Sequence, residues 1–218
     1  MIGVISGTVS LDTGIFGKRE ERFMDNDFGH TVVFVHDNIV YLPRHGINPK
    51  DYIMPHRINH QANMQALKDA GITEVVAVNS TGSLKMNIKP GTIIIPDDFI
   101  MLYGTPTVFS NRPQHITPSI NNNVRRALID AAHECNIDVA DGGIYWETTG
   151  PRFETRAEIK MMSAFADIVG MTMGSEAVIA QELGLPYASL CSIDNYAHGL
   201  GEKPLTIEEI YKHARINA

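Results

Sequence analysis

The chain has 218 residues, of which 44% are hydrophobic and 20% are charged, a balance typical of a globular domain with a sizeable core. Its 18 basic and 25 acidic residues give a formal net charge of -7, and the basic residues are scattered, so nucleic acid is not an expected partner. The sequence has no apolar run long enough to span a bilayer and no signal-peptide pattern at its start, so we expect a cytoplasmic protein without membrane contact.

Short apolar runs rich in Val and Ile alternate along the chain with segments of helical periodicity. Many of these runs are apolar throughout, as strands covered on both faces of a sheet are. The predicted strands are residues 2–6, 31–35, 39–42, 74–79, 92–95, 143–148, 168–171 and 187–193. The predicted helices are residues 57–70, 122–135, 156–165, 175–183 and 206–215, and capping boxes mark two of them, Thr155 with Glu158 and Thr206 with Glu209.

This alternation predicts an α/β fold, with a single domain over residues 1–218 and a central mixed β-sheet flanked by helices. Residues 101–119 are punctuated by Pro and Gly and are predicted to form a long surface loop. The two cysteines, Cys135 and Cys191, both lie in apolar segments. We therefore expect buried, free thiols at both positions.

Small polar or charged residues follow four of the predicted strands, at residues 6–8, 43–46, 79–83 and 172–175. In open α/β sheets, ligands bind outside the carboxyl ends of the strands. One such segment alone is more often a plain turn than a binding loop. The four together offer hydroxyl groups, backbone N–H groups and the guanidinium of Arg44, a set that favours binding of a phosphate-sized anion.

An aromatic residue is followed at once by an acid at Phe153 and Glu154, and an amide follows a predicted strand at Asn195. A planar ring beside a carboxylate suits a heterocycle, because it offers stacking and an acceptor for a ring N–H. A carboxamide can accept from one ring position and donate to another. The competing interpretation of Asn195, and of Asp194 before it, is the turn that commonly follows a strand.

Taken together, these segments resemble the trimeric nucleoside phosphorylase family, which contains purine nucleoside, methylthioadenosine and methylthioinosine phosphorylases. The resemblance extends over residues 2–211, and so many ordered segments make chance agreement remote. It is carried by ISGT at residues 5–8, RHG at 44–46, MPHRINHQANMQALKDAG at 54–71, NSTGSL at 79–84, KPGTIIIPDDFI at 89–100, TGPRFETRAEIKMM at 149–162 and DIVGMTMGSEAVIAQELGLPYA at 167–188.

The resemblance implies that inorganic phosphate cleaves a purine nucleoside, without metal or organic cofactor, in a homotrimer or a dimer of trimers. It also implies that His45, Glu154 and Asn195 are the catalytic residues. By position, it assigns Thr8, Arg44, His45, the Ser80 backbone and Thr172 to the phosphate, Met171 and His115 to the ribose (His115 in the neighbouring subunit), Phe153, Glu154 and Asn195 to the base, and Ile207 to the 5′ pocket.

Three positions indicate the substrate within this family. The 6-oxopurine enzymes have Glu and Asn where this chain has Glu154 and Asn195, whereas methylthioadenosine phosphorylases of the human type have Ser and Asp. The resemblance therefore implies inosine and guanosine as substrates. Ile207 stands where purine nucleoside phosphorylase of the human type has a His, and an aliphatic side chain suits a methylthio group better than a hydroxyl. 5′-Methylthioinosine is thus a further expected substrate.

Three other functions compete with this one. A shift of one residue would bring Asp194 to the base and would predict a methylthioadenosine phosphorylase that releases adenine. A nucleoside hydrolase would need a carboxylate cluster, and the acidic residues near the N-terminus are too dispersed for one. A purine- or phosphate-binding homologue without activity is favoured by Val9 and Ser10, because the family's first phosphate loop usually continues with Gly or Ser-Gly at that point.

Overall fold

Eleven strands and four helices lie within residues 1–7, 19–104 and 106–201, the part of the chain that the structure, a computed structural model, describes. The strands are β1 (Ile2–Ser6), β2 (Glu20–Asn26), β3 (Gly29–His36), β4 (Ile39–Pro43), β5 (Glu74–Ser83), β6 (Ile93–Ile95), β7 (Asp98–Met101), β8 (Val139–Asp141), β9 (Ile144–Glu147), β10 (Ile168–Gly170) and β11 (Tyr187–Tyr196). The helices are α1 (His60–Asp69), α2 (Asn122–Glu134), α3 (Arg156–Met162) and α4 (Met173–Glu182). None of these four described helices is long and apolar enough to cross a membrane.

The sheet is organised around β5, which has three neighbouring strands. β1 and β11 pair with β5 in parallel on its two sides, and β10 pairs with its end in antiparallel orientation at Gly82 and Ser83. The strand order is β2-β3-β4-β1-β5-β10-β9-β7, and β11, β6 and β8 branch from β5. Because β4, β1, β5 and β11 run in parallel, their carboxyl ends lie at one edge of the sheet.

The main hydrophobic core packs β1, β4, β5 and β11 against α1 and α4. Helix α4 is buried from residue 173 to residue 180, and its sequence is apolar or small on every face, as expected of a helix that is covered all round. The exception is Glu176, a carboxylate that is 2% exposed in the middle of this apolar stretch. A charge buried in this way requires a partner, and its partner belongs to the candidate site.

The mixed α/β fold predicted from the sequence is confirmed, and all eight predicted strands are present. Strand β5 continues to Ser83, so the predicted binding loop at residues 79–83 is wrong in its conformation and is part of a strand. The predicted helix at residues 57–70 begins only at His60, because Pro55–Arg57 forms a separate 3₁₀ turn. The predicted helix at residues 156–165 ends at Met162, and the one at residues 206–215 lies outside the described residues.

The sequence does not predict three of the observed strands, β2, β7 and β8. Strand β2 is largely exposed and carries four charged residues, so it lacks the apolar pattern of the other strands. Strands β7 and β8 have four and three residues, too few for a periodic signal. The prediction for Cys135 is also wrong, because this thiol is exposed at the end of α2. Cys191 is a buried, free thiol as predicted, and burial raises its pKa to about 12.

The capping box predicted at the start of α3 is confirmed. The hydroxyl of Thr155 accepts from the backbone N–H of Glu158 at 3.2 Å, and the Glu158 carboxylate accepts from the backbone N–H of Thr155 at 2.7 Å. Two N–H groups that have no partner inside the helix are therefore satisfied reciprocally. The cap fixes the point at which the chain leaves Phe153 and Glu154 and enters the helix.

Replacing Thr155 with Ala removes the acceptor at the start of α3. We expect Thr155→Ala to lower the free energy of unfolding by about 1 kcal/mol, whereas Thr155→Ser, which keeps the hydroxyl, remains close to the wild type. Urea denaturation of the three proteins measures both differences. An equal loss in both variants would contradict the role given to the hydroxyl.

Candidate active site

A cavity of about 210 Å³ lies at the edge of the sheet where β4, β5 and β11 end. It brings together side chains that are far apart in the sequence, because parallel strands deliver their carboxyl ends to the same place. Among the residues predicted for the site, Arg44, His45, Ser80, Phe153, Glu154, Met171, Thr172 and Asn195 line the cavity. His115 is exposed and does not line it, and Thr8 and Ile207 lie outside the described residues.

Arg44 follows β4, and its guanidinium is buried against the Glu176 carboxylate of α4. Both side chains are 2% exposed. Nε and Nη2 of Arg44 donate to the two Glu176 oxygens at 2.7 and 3.2 Å, and Nη1 donates to the Val78 carbonyl at 2.9 Å. Burial disfavours the Arg44 charge, but the carboxylate outweighs burial and the pKa of Arg44 is raised. Because a guanidinium carries five N–H groups, two remain for a ligand.

The imidazole of His45 is held on two sides. Its Nδ1 lies 2.6 Å from the Ile53 carbonyl oxygen, and its ring stacks on Tyr52 with 4.3 Å between the ring centroids. Burial, opposed by the Ile53 contact and reinforced by the Arg44 charge, lowers the pKa of His45 to about 4. His45 is therefore neutral near pH 7. Gly7 lies against the same ring, since a Cβ added there would come within 3.1 Å of Nε2.

Thr172 is the residue before α4, and its hydroxyl is directed by a buried amide. Nδ2 of Asn79 donates to Oγ1 of Thr172 at 2.7 Å, and the Asn79 oxygen accepts from Ser189 at 2.6 Å. The backbone N–H of Thr172 donates to the Tyr145 hydroxyl at 3.2 Å. Since Oγ1 already accepts from Asn79, its own hydrogen is left to donate to a ligand in the cavity.

The N-terminus of α4 is occupied by a second buried carboxylate, that of Glu147 at the end of β9. Both Glu147 oxygens accept from the Ser175 backbone N–H at 3.1 Å, and they also accept from the Ser175 hydroxyl and the Gly174 N–H. Burial raises the pKa of Glu147 to about 7, although these donors act in the opposite direction. Because Glu147 takes these N–H groups, the helix N-terminus does not offer them to a ligand.

At the other end of the cavity, the carboxylate of Glu154 is 7% exposed and is fixed by a hydroxyl. Oγ1 of Thr148 donates to Oε1 of Glu154 at 2.7 Å, which leaves Oε2 as an acceptor. Phe153, the preceding residue, is 38% exposed and also lines the cavity. Met171 packs against Gly150, where φ is +60° and an added Cβ would lie 2.6 Å from the Met171 sulfur. Only glycine fits that position.

A β-bulge in β11 determines which of two adjacent polar side chains reaches the cavity. Ile193 lies opposite Thr81 and Asn195 lies opposite Gly82, so Asp194 is the extra residue. Asp194 is completely buried, and its carboxylate accepts from the hydroxyls of Ser80 and Ser192. Asn195 lines the cavity, with Nδ2 donating to the Tyr196 carbonyl at 2.9 Å. One hydrogen on Nδ2 and the oxygen Oδ1 remain for a ligand.

The sequence predicts no individual role for three residues that support the site, Glu176, Glu147 and Asn79, and includes Asn79 only within the polar segment at residues 79–83. The first two carry a signal that could have been used. Glu176 is an acid inside an apolar helix, and Glu147 ends the apolar strand β9. A carboxylate predicted to be buried must be paired or hydrogen-bonded, so each one predicts a partner nearby. Asn79 has no comparable signal, since an amide at a strand end is common in turns.

Comparison with known proteins identifies the class to which this fold and site belong. Residues 2–218 match the family model described as the Phosphorylase superfamily. The chain belongs to this superfamily, which confirms the family predicted from the sequence.

Individual relatives narrow the class to enzymes of the nucleoside phosphorylase type. The chain is 40% identical over 223 residues to a probable 6-oxopurine nucleoside phosphorylase of Archaeoglobus fulgidus, covering 100% of this chain and 91% of the relative. It is 37% identical to a probable S-methyl-5′-thioinosine phosphorylase of Methanothermobacter thermautotrophicus, covering 97% and 77%. Among solved structures, it is similar to methylthioadenosine phosphorylase from Schistosoma mansoni in complex with adenine, with a TM-score of 0.89, 27% identity and coverage of 99% and 86%.

Removing Glu176 would leave the Arg44 charge buried without its counter-ion. We expect Glu176→Ala to lower the free energy of unfolding by about 3–5 kcal/mol. Tyr187→Phe is the matched control, because it removes only the hydroxyl that donates to Glu176 at 2.9 Å and should cost about 1 kcal/mol. Chemical denaturation distinguishes the two. A Glu176→Ala protein as stable as Tyr187→Phe would refute the buried ion pair.

The raised pKa of Glu147 predicts a pH-dependent stability. Since the folded-state pKa is about 7 and the ordinary value is 4.5, the folded protein holds this proton more tightly. The resulting stabilisation is complete below about pH 4.5 and is lost as the pH rises through 7. Relative to the wild type, Glu147→Gln should therefore gain up to about 3 kcal/mol in unfolding free energy between pH 5 and pH 8. A difference between the two proteins that does not vary with pH would contradict this assignment.

Proposed function

We propose that this protein is a 6-oxopurine nucleoside phosphorylase that acts on inosine, guanosine and 5′-methylthioinosine. Inorganic phosphate is the second substrate, and the products are the free purine and ribose 1-phosphate or its 5-methylthio derivative. We propose that the reaction needs no metal and no organic cofactor. The names of the relatives from Archaeoglobus fulgidus and Methanothermobacter thermautotrophicus support the two substrate classes.

The observation that carries this proposal is the pair of side chains at the base end of the cavity. Glu154 and Asn195 line it, while the Asp194 carboxylate is buried against Ser80 and Ser192. Hypoxanthine and guanine carry a hydrogen on N1, which the Oε2 atom of Glu154 can accept. Adenine has a lone pair on N1, so its N1 and the Glu154 carboxylate would be two acceptors in contact. A buried mismatch of this kind discriminates strongly against adenine.

The opposite end of the cavity suits phosphate. Two N–H groups of Arg44 and the hydroxyl hydrogen of Thr172 are available there, and His45 adds a ring nitrogen. In the proposed mechanism, the ribose packs on Met171 and phosphate lies below its C1′ atom. The phosphate stabilises the ribosyl cation that forms as the glycosidic bond breaks, and then bonds to C1′ through one of its oxygens. Holding the two substrates in line supplies much of the remaining acceleration.

The leaving purine gathers negative charge at N7 and O6 as the bond breaks. Asn195 can donate to O6 through its remaining Nδ2 hydrogen and accept from a protonated N7 through Oδ1. Glu154 holds the N1 edge at the same time. A preorganised donor aimed at developing charge contributes typically about 3 kcal/mol to transition-state stabilisation. In this proposal Glu154 and Asn195 therefore act in catalysis as well as in substrate selection, with His45 acting on the phosphate.

The remaining assignments concern the 5′ pocket, the assembly and the compartment. We propose that Thr8 completes the phosphate site and that Ile207 contacts the 5′ substituent; both residues lie outside the described ranges. We also propose a cytoplasmic homotrimer, or a dimer of trimers, in which His115 reaches the ribose of a neighbouring subunit. The exposure of His115 and its absence from the cavity of its own subunit agree with that role.

A second candidate is a methylthioadenosine phosphorylase, favoured by the similarity to the adenine-bound enzyme of Schistosoma mansoni. The deciding assay measures base release from methylthioinosine, inosine and methylthioadenosine, each with and without phosphate. We expect phosphate-dependent release of hypoxanthine and little adenine. Adenine as the main product would favour the second candidate, and binding of purine without any turnover would favour a homologue that has lost activity.

Glu154→Gln tests the role of the carboxylate in the same assay. The amide keeps an oxygen for Thr148 and presents an NH₂ group to N1, which suits adenine. We expect the ratio of kcat/KM for methylthioinosine to that for methylthioadenosine to fall by roughly 100-fold or more. The matched control is Glu182→Gln, at a half-buried carboxylate of α4 that accepts from the Thr107 hydroxyl and the Val108 backbone N–H and does not line the cavity. An unchanged ratio in Glu154→Gln would refute the contact with N1.

A further inference from the structure

The hydrogen bond between His45 and Ile53 determines which ring nitrogen carries the proton. A backbone carbonyl oxygen is only an acceptor, so Nδ1 of His45 must be the donor at 2.6 Å. A neutral imidazole has one N–H, and here it is used on Ile53. The second nitrogen, Nε2, then presents a lone pair. Among residues 1–7, 19–104 and 106–201, no hydrogen bond to Nε2 is observed.

The surroundings of His45 keep the ring neutral. Burial and the Arg44 charge lower its pKa to about 4, and His60 at the start of α1 is likewise neutral, with its pKa lowered to about 3, mainly by burial. Tyr52 covers one ring face. No carboxylate among the described residues forms an ion pair with the imidazole, and the Glu176 carboxylate is paired with Arg44 instead. The described residues thus supply no carboxylate to hold a second proton on His45.

The Nε2 edge faces the side of the cavity assigned to the anion. The edge lies next to Gly7, where an added Cβ would come within 3.1 Å of Nε2 and 2.7 Å of Nη1 of Arg44. A tetrahedral anion that accepts from Arg44 and Thr172 therefore meets a lone pair, rather than a donor, at His45. Two acceptors in contact are unfavourable unless one of them carries a hydrogen.

We propose that Nε2 of His45 accepts a hydrogen bond from the O–H group of the bound anion, so that the site selects proton-bearing oxyanions, hydrogen phosphate and hydrogen arsenate, over sulfate. This inference rests on the proposed function, because it assigns His45 to the phosphate end of the cavity. At about pH 8, hydrogen phosphate and sulfate have the same shape and the same double negative charge, and they differ in one proton. The selection therefore comes from hydrogen-bond polarity, and His45 acts as a specificity-determining residue.

The test compares phosphate, arsenate and sulfate at about pH 8, by titration calorimetry of the free protein and by sulfate inhibition of phosphorolysis. For the wild type, we expect sulfate to bind roughly 10- to 100-fold more weakly than phosphate, and arsenate to bind like phosphate. His45→Gln places an amide near the position of Nε2, and an amide can turn to donate or to accept. In this variant, the ratio of the phosphate affinity to the sulfate affinity should fall to about threefold or less.

Thr172→Val is the matched control, since it removes a donor that serves both anions. It should weaken phosphate and sulfate alike and leave their ratio at the wild-type value. Equal binding of phosphate and sulfate by the wild type, or an unchanged ratio in His45→Gln, would overturn the inference. Calorimetry needs no turnover, so absence of phosphorolysis would count against the proposed function while the measured anion ratio still decides this inference.

Discussion

The buried ion pair between Arg44 and Glu176 is the interaction on which the rest of the site depends. It joins the end of β4 to the middle of α4, two elements more than a hundred residues apart in sequence, and both side chains are 2% exposed. Such a pair contributes little net stability, because desolvation offsets the attraction between the charges. Its consequence is positional: the guanidinium cannot turn, and two of its N–H groups are left at a fixed place. It also neutralises the Arg44 charge, so an anion must be recognised through individual hydrogen bonds.

The two ends of the cavity follow the same principle, in which a buried polar partner fixes one part of a side chain and leaves another part for the ligand. Asn79 occupies one lone pair of the Thr172 hydroxyl, and Thr148 occupies one oxygen of Glu154. The bulge in β11 shows that the backbone also fixes side chains in place, because it buries Asp194 and brings Asn195 to the cavity. Preorganisation of this kind is what a site needs if it is to stabilise charge that develops during a reaction.

The sequence predicts the α/β class and the strands with continuous apolar runs, since burial on both faces leaves a strong pattern. It also predicts eight of the residues that line the cavity, through segments that resemble a known family, but not others such as Tyr52 and Met54. It does not predict the exposed strand β2, whose charged residues follow no apolar pattern, or the exposure of Cys135. The bulge at Asp194 and the tautomer of His45 cannot be read from the sequence, because each depends on a contact between distant segments: β11 with β5, and His45 with the Ile53 carbonyl.

A crystal structure of the protein with hypoxanthine and phosphate bound together is the most direct test of the roles given to the cavity. We expect phosphate within hydrogen-bond distance of Arg44, His45 and Thr172. We also expect hypoxanthine beside Phe153, with N1 directed at Glu154 and with N7 and O6 directed at Asn195. A base whose N1 faces away from Glu154, or a phosphate bound outside the cavity, would contradict these roles.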